Sequence, residues 1–368
     1  MSSIYGNRIK VSLFGESHGA AVGCVLDGLP AGLALDMPFI RTRLSQRQHG
    51  AFSIRSYAEM SKGLEEEDAL LEISSAVTAR SESLDFHVLS GLSDEGICQG
   101  SPFMAYFQNR DIRRGDYRQQ ERHYRPGHAD YVSAMRSNGH ADLSGGGHFS
   151  GRLTAPLVLA GAICEQILSR RGIGFSAHVE NVGGCKSFAE INDFLESLER
   201  DGDSAGSEIK IRIDGMPLGV GSPFFDTLEG EISKLVFSVP AVKGIAFGAG
   251  FDFVEKRGSE VVDAFILAES DQGSGTHVVT DHNYNGGING GISNGMPVEF
   301  RVAVKPTSSI RVPVRTLNFE TMSQELLVTG GRHDKCIGFR AMVAIVAATA
   351  IALVNFTEGS ESFDESVK

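Results

Sequence analysis

The plainest pattern in the chain is alternation. Ile209, Ile211 and Ile213 are interleaved with Lys210, Arg212 and Asp214, and Val298, Phe300, Val302 and Val304 with Glu299, Arg301 and Lys305. A period of two places each apolar set on one face, which predicts two half-buried strands, and a sheet with one wet face is naturally antiparallel. Helical spacing follows elsewhere. Ile191, Phe194, Leu195 and Leu198 fall at i, i+3, i+4 and i+7. From Thr154, read as an N-cap with Pro156 just inside, the apolar positions Leu157, Ala160, Cys164, Ile167 and Leu168 predict a helix that Gly172 stops. The longest apolar run, Ala341 to Val354, spans 14 residues broken only by Thr349. A membrane span needs about 20, so this run predicts an Ala-rich helix buried on all sides. Strand and helix patterns follow one another without a regular beat, which favours α+β layers over a doubly wound sheet.

With 368 residues and 41% hydrophobic content the chain can build a sizeable core. No linker composition divides it, so a single domain is expected over 1–356. The stretch 357–368 is acidic, Ser-rich and without apolar period, and is expected to be a flexible tail. A net charge of -12 argues against a general affinity for nucleic acid or an anionic membrane, and neither is an expected partner. Any anionic ligand must then be held by a local cluster of Arg, Lys and His. The five cysteines, Cys24, Cys98, Cys164, Cys185 and Cys336, are odd in number and scattered. That usage points to reduced thiols in the cytoplasm rather than a zinc site or a disulfide frame. Arg8 and Lys10 interrupt the N-terminal apolar stretch, so no secretory leader is expected.

Several glycine-rich turns carry the polar residues. Gly15-Glu16-Ser17-His18-Gly19 joins the strand-like runs Val11 to Phe14 and Val22 to Leu26, and presents an imidazole at a strand end; a plain surface turn is the alternative. In Tyr124-Arg125-Pro126-Gly127-His128-Ala129-Asp130-Tyr131 the Pro-Gly turn sets Arg125 and His128 on a common side, which suits an anion beside a titrating group or a simple surface ion pair. Gly145-Gly146-Gly147-His148-Phe149-Ser150-Gly151-Arg152 precedes the helix at Thr154 and offers backbone N–H groups for an anion. It is neither a P-loop nor a GxGxxG fingerprint. Asn285 to Gly295 reads as a ligand-approaching loop or a hairpin, and it leads into the strand ending at Lys305-Pro306-Thr307-Ser308-Ser309, whose ammonium and hydroxyls suit phosphate. Gly331-Arg332-His333-Asp334 stands before the buried helix, where Asp334 is either a functional carboxylate or an N-cap.

Taken together and in this order, FGESHG, RPGHADY, GGG-x-x-S-x-R-x-T, PAVKG-x-x-FG-x-GF, GGI-x-GGIS-x-G, KPTSSI and GRHD-x-C resemble the signature of the chorismate synthase family, from Tyr5 to about Val354. The resemblance implies a four-layer sandwich with central helices between antiparallel sheets, assembled as a homotetramer. It also implies an anti-1,4-elimination of phosphate from 5-enolpyruvylshikimate 3-phosphate to give chorismate, using reduced FMN without net redox change. Carried over by position, His18, His128 and Asp334 fall on the catalytic residues. Ser17, Arg47, Arg80, Arg125, Arg152 and Arg332 fall on substrate contacts. His148, Phe149, Ser150, Pro240, Ala241, Gly290, Lys305, Pro306, Thr307, Ser308, Ser309 and Arg332 fall on the flavin loops. Whether the flavin is reduced on the protein with NADP(H) or supplied by an external flavin reductase stays open.

The chain departs from the family in three places. Gln46-Arg47-Gln48-His49-Gly50 lacks one arginine and the proline of the family's Arg-Arg-x-Pro-Gly. His148-Phe149 replaces the usual Arg-Ser. An insert lies between Gly50 and Thr78. Two other readings stand beside the enzyme: a divergent paralogue that binds flavin or a phosphorylated acid without full turnover, and a metal-assisted phosphohydrolase.

Overall fold

The computed structural model describes residues 3–61, 85–110, 123–269, 276–330 and 333–357. Arg80, Arg332, most of the insert after Gly50 and the tail beyond Thr357 therefore lie outside the described residues. The first part of the chain runs β1 (Ile4–Tyr5), β2 (Lys10–Gly15), β3 (Ala21–Asp27), α1 (Met37–His49), β4 (Ser53–Ile54), α2 (Tyr57–Ser61), β5 (His87–Ser90) and β6 (Phe103–Gln108). The middle continues with α3 (Asp130–Arg136), α4 (Thr154–Ser169), β7 (Gly174–Val182), α5 (Phe188–Asp201), β8 (Ser207–Asp214), α6 (Leu228–Val236) and β9 (Val242–Phe247). It ends with β10 (Phe265–Glu269), β11 (Thr276–Thr280), β12 (Ile288–Asn289), β13 (Ile292–Ser293), β14 (Val298–Val304), β15 (Val314–Asn318), β16 (Ser323–Leu327) and α7 (Gly338–Thr357).

Two five-stranded sheets carry the fold, in the orders β1-β2-β3-β6-β5 and β4-β7-β8-β14-β9. Every neighbouring pair is antiparallel. The two alternating sequences pair with each other: Val298 faces Ile213, Phe300 faces Ile211 and Val302 faces Ile209, so their apolar faces merge into one. Helices fill the space between the sheets. α4 rests on β2, β3 and β6, α7 rests on β7 and β8, and α4 and α7 pack on each other with α1 and α6 beside them. The layers run sheet, helix, helix, sheet, as the α+β sandwich requires.

Helix boundaries show where local pattern and structure diverge. α5 begins at a Ser187–Glu190 capping box and ends at left-handed Gly202. α4 starts at Thr154, but Thr154 is not its cap. Ser150 instead accepts from Arg152 N at the head of a short 3-10 turn, Gly151–Leu153, that feeds the helix, and the Thr154 hydroxyl donates back to the Gly151 carbonyl at 2.6 Å. α7 is 20 residues rather than 14, long and apolar enough to cross a bilayer by length alone. Residues 341–354 are nevertheless all buried inside the protein, and Thr349 sits dry because its hydroxyl donates to the Ile345 carbonyl at 2.8 Å.

Two contacts fix the central layer. A Cβ on Gly161 of α4 would lie 2.3 Å from the Cβ of Ala347 of α7, so the helices approach to a distance that only glycine permits. Arg43 of α1 is fully buried against Glu165 of α4, with Nη2 2.7 Å from Oε2. Its remaining donors reach Gln46 Oε1 and the Arg55 carbonyl. Such a pair is tolerated in a core because the charges meet at close range with their other hydrogen bonds satisfied. Near the end of α7, Asn355 Oδ1 accepts from the backbone N–H groups of Asn7, Arg8 and Ile9, and its amide donates to the Ile9 carbonyl.

Substituting Gly161→Val is expected to cost at least about 1–3 kcal/mol, the usual penalty for forcing atoms into a packed core. Thermal unfolding measures it; an unchanged midpoint would show that the two helices can move apart freely.

Candidate active site

β2 ends at Gly15, whose positive φ of 95 leaves no room for a side chain: a Cβ would lie 2.1 Å from the Ala21 carbonyl oxygen. The turn that follows carries Ser17 and His18 inward, exposed by only 3% and 2%. The Ser17 hydroxyl is buried with no hydrogen-bond partner among the described residues. Across from it runs the loop Gly145-Gly146-Gly147, with φ of 59, 86 and 52. Ser17 N donates to the Gly147 carbonyl at 3.0 Å. A Cβ at Gly145 would lie 2.6 Å from His18 Cδ2, and one at Gly146 3.0 Å from His128 Cε1. Gly145 and Gly146 are needed because the backbone threads between two imidazoles, and Gly147 because a Cβ there would collide with the Asp142 carbonyl oxygen.

The second imidazole belongs to a buried network. Arg125 grips the Asp130 carboxylate through Nε at 2.7 Å and Nη2 at 2.8 Å, the bidentate geometry that makes such contacts strong. His128 Nδ1 is 2.6 Å from Asp130 Oδ1; a carboxylate only accepts, so Nδ1 carries the proton and the Nε2 edge turns toward Gly146. Burial alone would push the Asp130 carboxyl up, but the hydrogen bonds and charges of Arg125 and His128 outweigh it and hold it far below the usual carboxylate range. Asp130 also opens α3, where a negative charge meets the helix dipole favourably.

The segment 305–309 closes on the same turn. Lys305 Nζ donates to the Gly127 carbonyl at 2.6 Å and to Ser308 Oγ at 2.9 Å, and Arg125 Nη1 donates to Ser309 Oγ at 3.1 Å. Lys305 N bonds the carbonyl of Ala241, which sits at an unfavourable φ of 72 beside exposed Pro240. Burial, helped by the charge of Lys243, lowers the Lys305 ammonium below its ordinary range. Thr307 is tied by its carbonyl to the Ser204 hydroxyl, and Pro306 is exposed. A cation and hydroxyls gathered around a glycine turn form an anion-binding arrangement. Gly290 stands elsewhere, at the exposed tip of the β12–β13 hairpin, where Gly291 accepts from Leu228 N at the start of α6.

Five further expected residues take other positions. Arg47 is buried and donates to Thr154 Oγ1 and the Gly151 carbonyl, both at 3.0 Å, joining α1 to the start of α4. Arg152 lies over the Phe107 ring and reaches Asn109 Oδ1 at 3.4 Å. Asn109 in turn donates to the Glu16 and Gly19 carbonyls, pinning the turn that holds His18. Asp334 lies before α7 and meets Arg340 Nη1 at 3.1 Å. Its neighbour His333 donates from Nε2 to the Gly330 carbonyl, and burial, reinforced by the Arg125 charge, pulls this imidazole below its ordinary value. His148 turns away from the other two histidines, with Nδ1 2.8 Å from the Gly15 carbonyl and Nε2 2.8 Å from Ser3 Oγ. Phe149 beside it is half-buried. Asp130, Asn109 and Arg340 were not among the residues expected from sequence, although Asp130 lies inside the RPGHADY segment that was singled out.

Comparison with known proteins agrees with this geometry. The family model described as chorismate synthase matches residues 9–357. The chain is 39% identical to the chorismate synthase of Chitinophaga pinensis, over 96% of this chain and 95% of that one. It is 35% identical to that of Dehalococcoides mccartyi strain 195, over 96% of both chains. A chorismate synthase crystal structure superposes with a TM-score of 0.69 over 97% of this chain and 93% of the other, at 22% identity, and so shares the fold. Matched by the family model over residues 9–357 and by curated relatives over 96% of its length, this chain belongs to the chorismate synthase family.

Proposed function

We propose that this chain converts 5-enolpyruvylshikimate 3-phosphate to chorismate by anti-1,4-elimination of phosphate, with reduced FMN as its cofactor. The observation that carries the reading is the Arg125–Asp130–His128 network set between the glycine loop and the 305–309 segment. A substrate bearing a phosphate and two carboxylates needs fixed positive charge, and Arg125 and Lys305 supply it where a chain of net charge -12 would otherwise repel the ligand. Asp130 orients the His128 ring through Nδ1 and turns its Nε2 edge toward the glycine loop, which suits His128 to exchange a proton with departing phosphate. The buried Ser17 hydroxyl has its hydrogen-bonding capacity still to spend, and so fits a substrate acceptor.

The residues present also fit an anionic, flat cofactor. Lys305 and Ser308 meet at Gly127, where a Cβ would come within 3.2 Å of Ser308 Oγ; Thr307 and Ser309 stand beside them, and Ala241 is held by the Lys305 backbone. When bound, reduced FMN supplies transient electron density for breaking the C–O bond to phosphate, without net oxidation. Asp334, held by Arg340, is the carboxylate placed to accept the hydrogen as a proton. The five free thiols, four of them buried, support a cytoplasmic setting. Homotetramer formation is supported by large exposed apolar side chains, including Phe225 at 97%, Phe224 and Phe265. Delivery of reduced FMN by a separate reductase remains part of the proposal.

Anaerobic incubation with substrate is expected to yield chorismate with chemically reduced FMN and none with oxidised FMN. Absence of product from folded protein would overturn the reading. Arg125→Ala is expected to weaken substrate binding about tenfold or more, the loss of a charge-assisted contact; calorimetric titration measures it. Asp130→Asn is expected to be less stable than the parent at neutral pH. Because the Asp130 carboxyl titrates lower when folded than unfolded, the difference should be complete above about pH 4 and close as pH falls further. Chemical denaturation at several pH values gives that profile, and a constant difference would show that Asp130 is not held charged.

A further inference from the structure

We propose that His148 is a positioning residue whose imidazole latches the glycine-rich loop to the end of β2 and to Ser3, and so keeps that loop in register between His18 and His128. The inference rests on reading His18 and His128 as residues of the reaction. A carbonyl oxygen only accepts, so the 2.8 Å contact to Gly15 fixes the proton on His148 Nδ1. In the neutral ring Nε2 is then an acceptor, and the Ser3 hydroxyl at 2.8 Å donates to it. Both nitrogens are engaged within the protein, which leaves neither to offer an anion.

A latch has a job here because the loop is soft. Gly145, Gly146 and Gly147 all lie in the left-handed region, where glycine has little preference for one conformation over its neighbours. Such a backbone persists only where its surroundings over-determine it. Within the loop, Ser144 N is held by Asp142 Oδ1 at 2.9 Å and Gly146 N by the Leu143 carbonyl at 3.0 Å. Across to the Ser17–His18 turn, the Gly147 carbonyl takes Ser17 N, and the next residue, His148, takes the Gly15 carbonyl. These two bonds grip opposite sides of the same turn and set how the glycine backbone meets the His18 ring. Ser3 extends the grip to the chain start, where Leu13 N already donates to the Ser3 carbonyl at 2.9 Å. The residue that departs from the family signature at this position thus acts on the reaction through the backbone.

The test compares His148→Leu, which fills the space without a donor, His148→Asn, whose short amide can still donate to the Gly15 carbonyl, and Ser3→Ala. Amide hydrogen exchange at Ser17 is followed in each, with anaerobic turnover and reduced-FMN affinity measured alongside. His148→Leu is expected to speed Ser17 exchange about tenfold and lower kcat by a similar factor, with KM and FMN affinity changed less than about twofold. His148→Asn should restore most of both, and Ser3→Ala should show a smaller change in the same direction. Weakened FMN binding with unchanged Ser17 exchange would overturn the proposal by making His148 a cofactor contact. Unchanged exchange and turnover in all three would overturn it by reducing the residue to packing. If His148→Leu fails to fold, the other two variants decide. If the parent protein forms no chorismate, the proposed reaction falls, while Ser17 exchange still reports whether the latch exists.

Discussion

The close approach of α4 and α7 at Gly161 and Ala347 is the constraint on which the rest of the molecule depends. Two helices this apolar can stand side by side only when sheets cover them from both sides, and both sheets do so. The contact also sets the site. α1 ends against both helix starts: Arg47 bonds Gly151 and Thr154 at the head of α4, and Ala51 N bonds the Phe339 carbonyl at the head of α7. The glycine loop precedes the first of these helices, and His333 and Asp334 precede the second. Widening the helix pair would therefore displace the groups assigned to proton transfer as well as loosen the core, since rigid elements transmit strain.

Charge is managed locally rather than by the surface. The chain is acidic overall, yet Arg125 is buried beside Asp130 and reaches Ser309, while Lys305 is partly stripped of water. A carboxylate held ionised by two partners keeps Arg125 rigid and keeps a proton on His128 Nδ1, so one acidic group organises the anion grip and the imidazole together. A second buried pair, Arg43–Glu165, ties α1 to α4 inside the core.

The sequence made β8 and β14 of the second sheet legible because one face of each is dry, and period two records that directly. It revealed α5 for the same reason at helical period. Position-specific chemistry was harder to see. Thr154 looked like a cap, but Ser150 does that work because a 3-10 turn intervenes. Asp334 also looked like a cap, yet the helix starts later and Arg340 claims it. Gly161 was invisible because its role depends on a helix nearly two hundred residues further on. The glycine turns were each legible, but only the family resemblance implied that Ser17, His18, Arg125, His128, Lys305, Ser308 and Ser309 belong together. They could not foretell that His148 would face Ser3, a partner fixed only by the folded path of β1 and β2.

The Asn355 clamp ties the last helix to the first sheet, with one amide side chain serving three consecutive N–H groups near the chain start. During synthesis, those donors therefore wait on almost the whole of the chain. Until α7 has been made, residues 7–9 lack that clamp, and β7 and β8 lack the helix that covers them. Completion of the fold thus waits on closing a loop that spans most of the chain, which carries a large entropic cost. A chain that still lacks α7 leaves the inner face of the second sheet uncovered, which makes that interval the one in which this protein most needs shielding from its own kind.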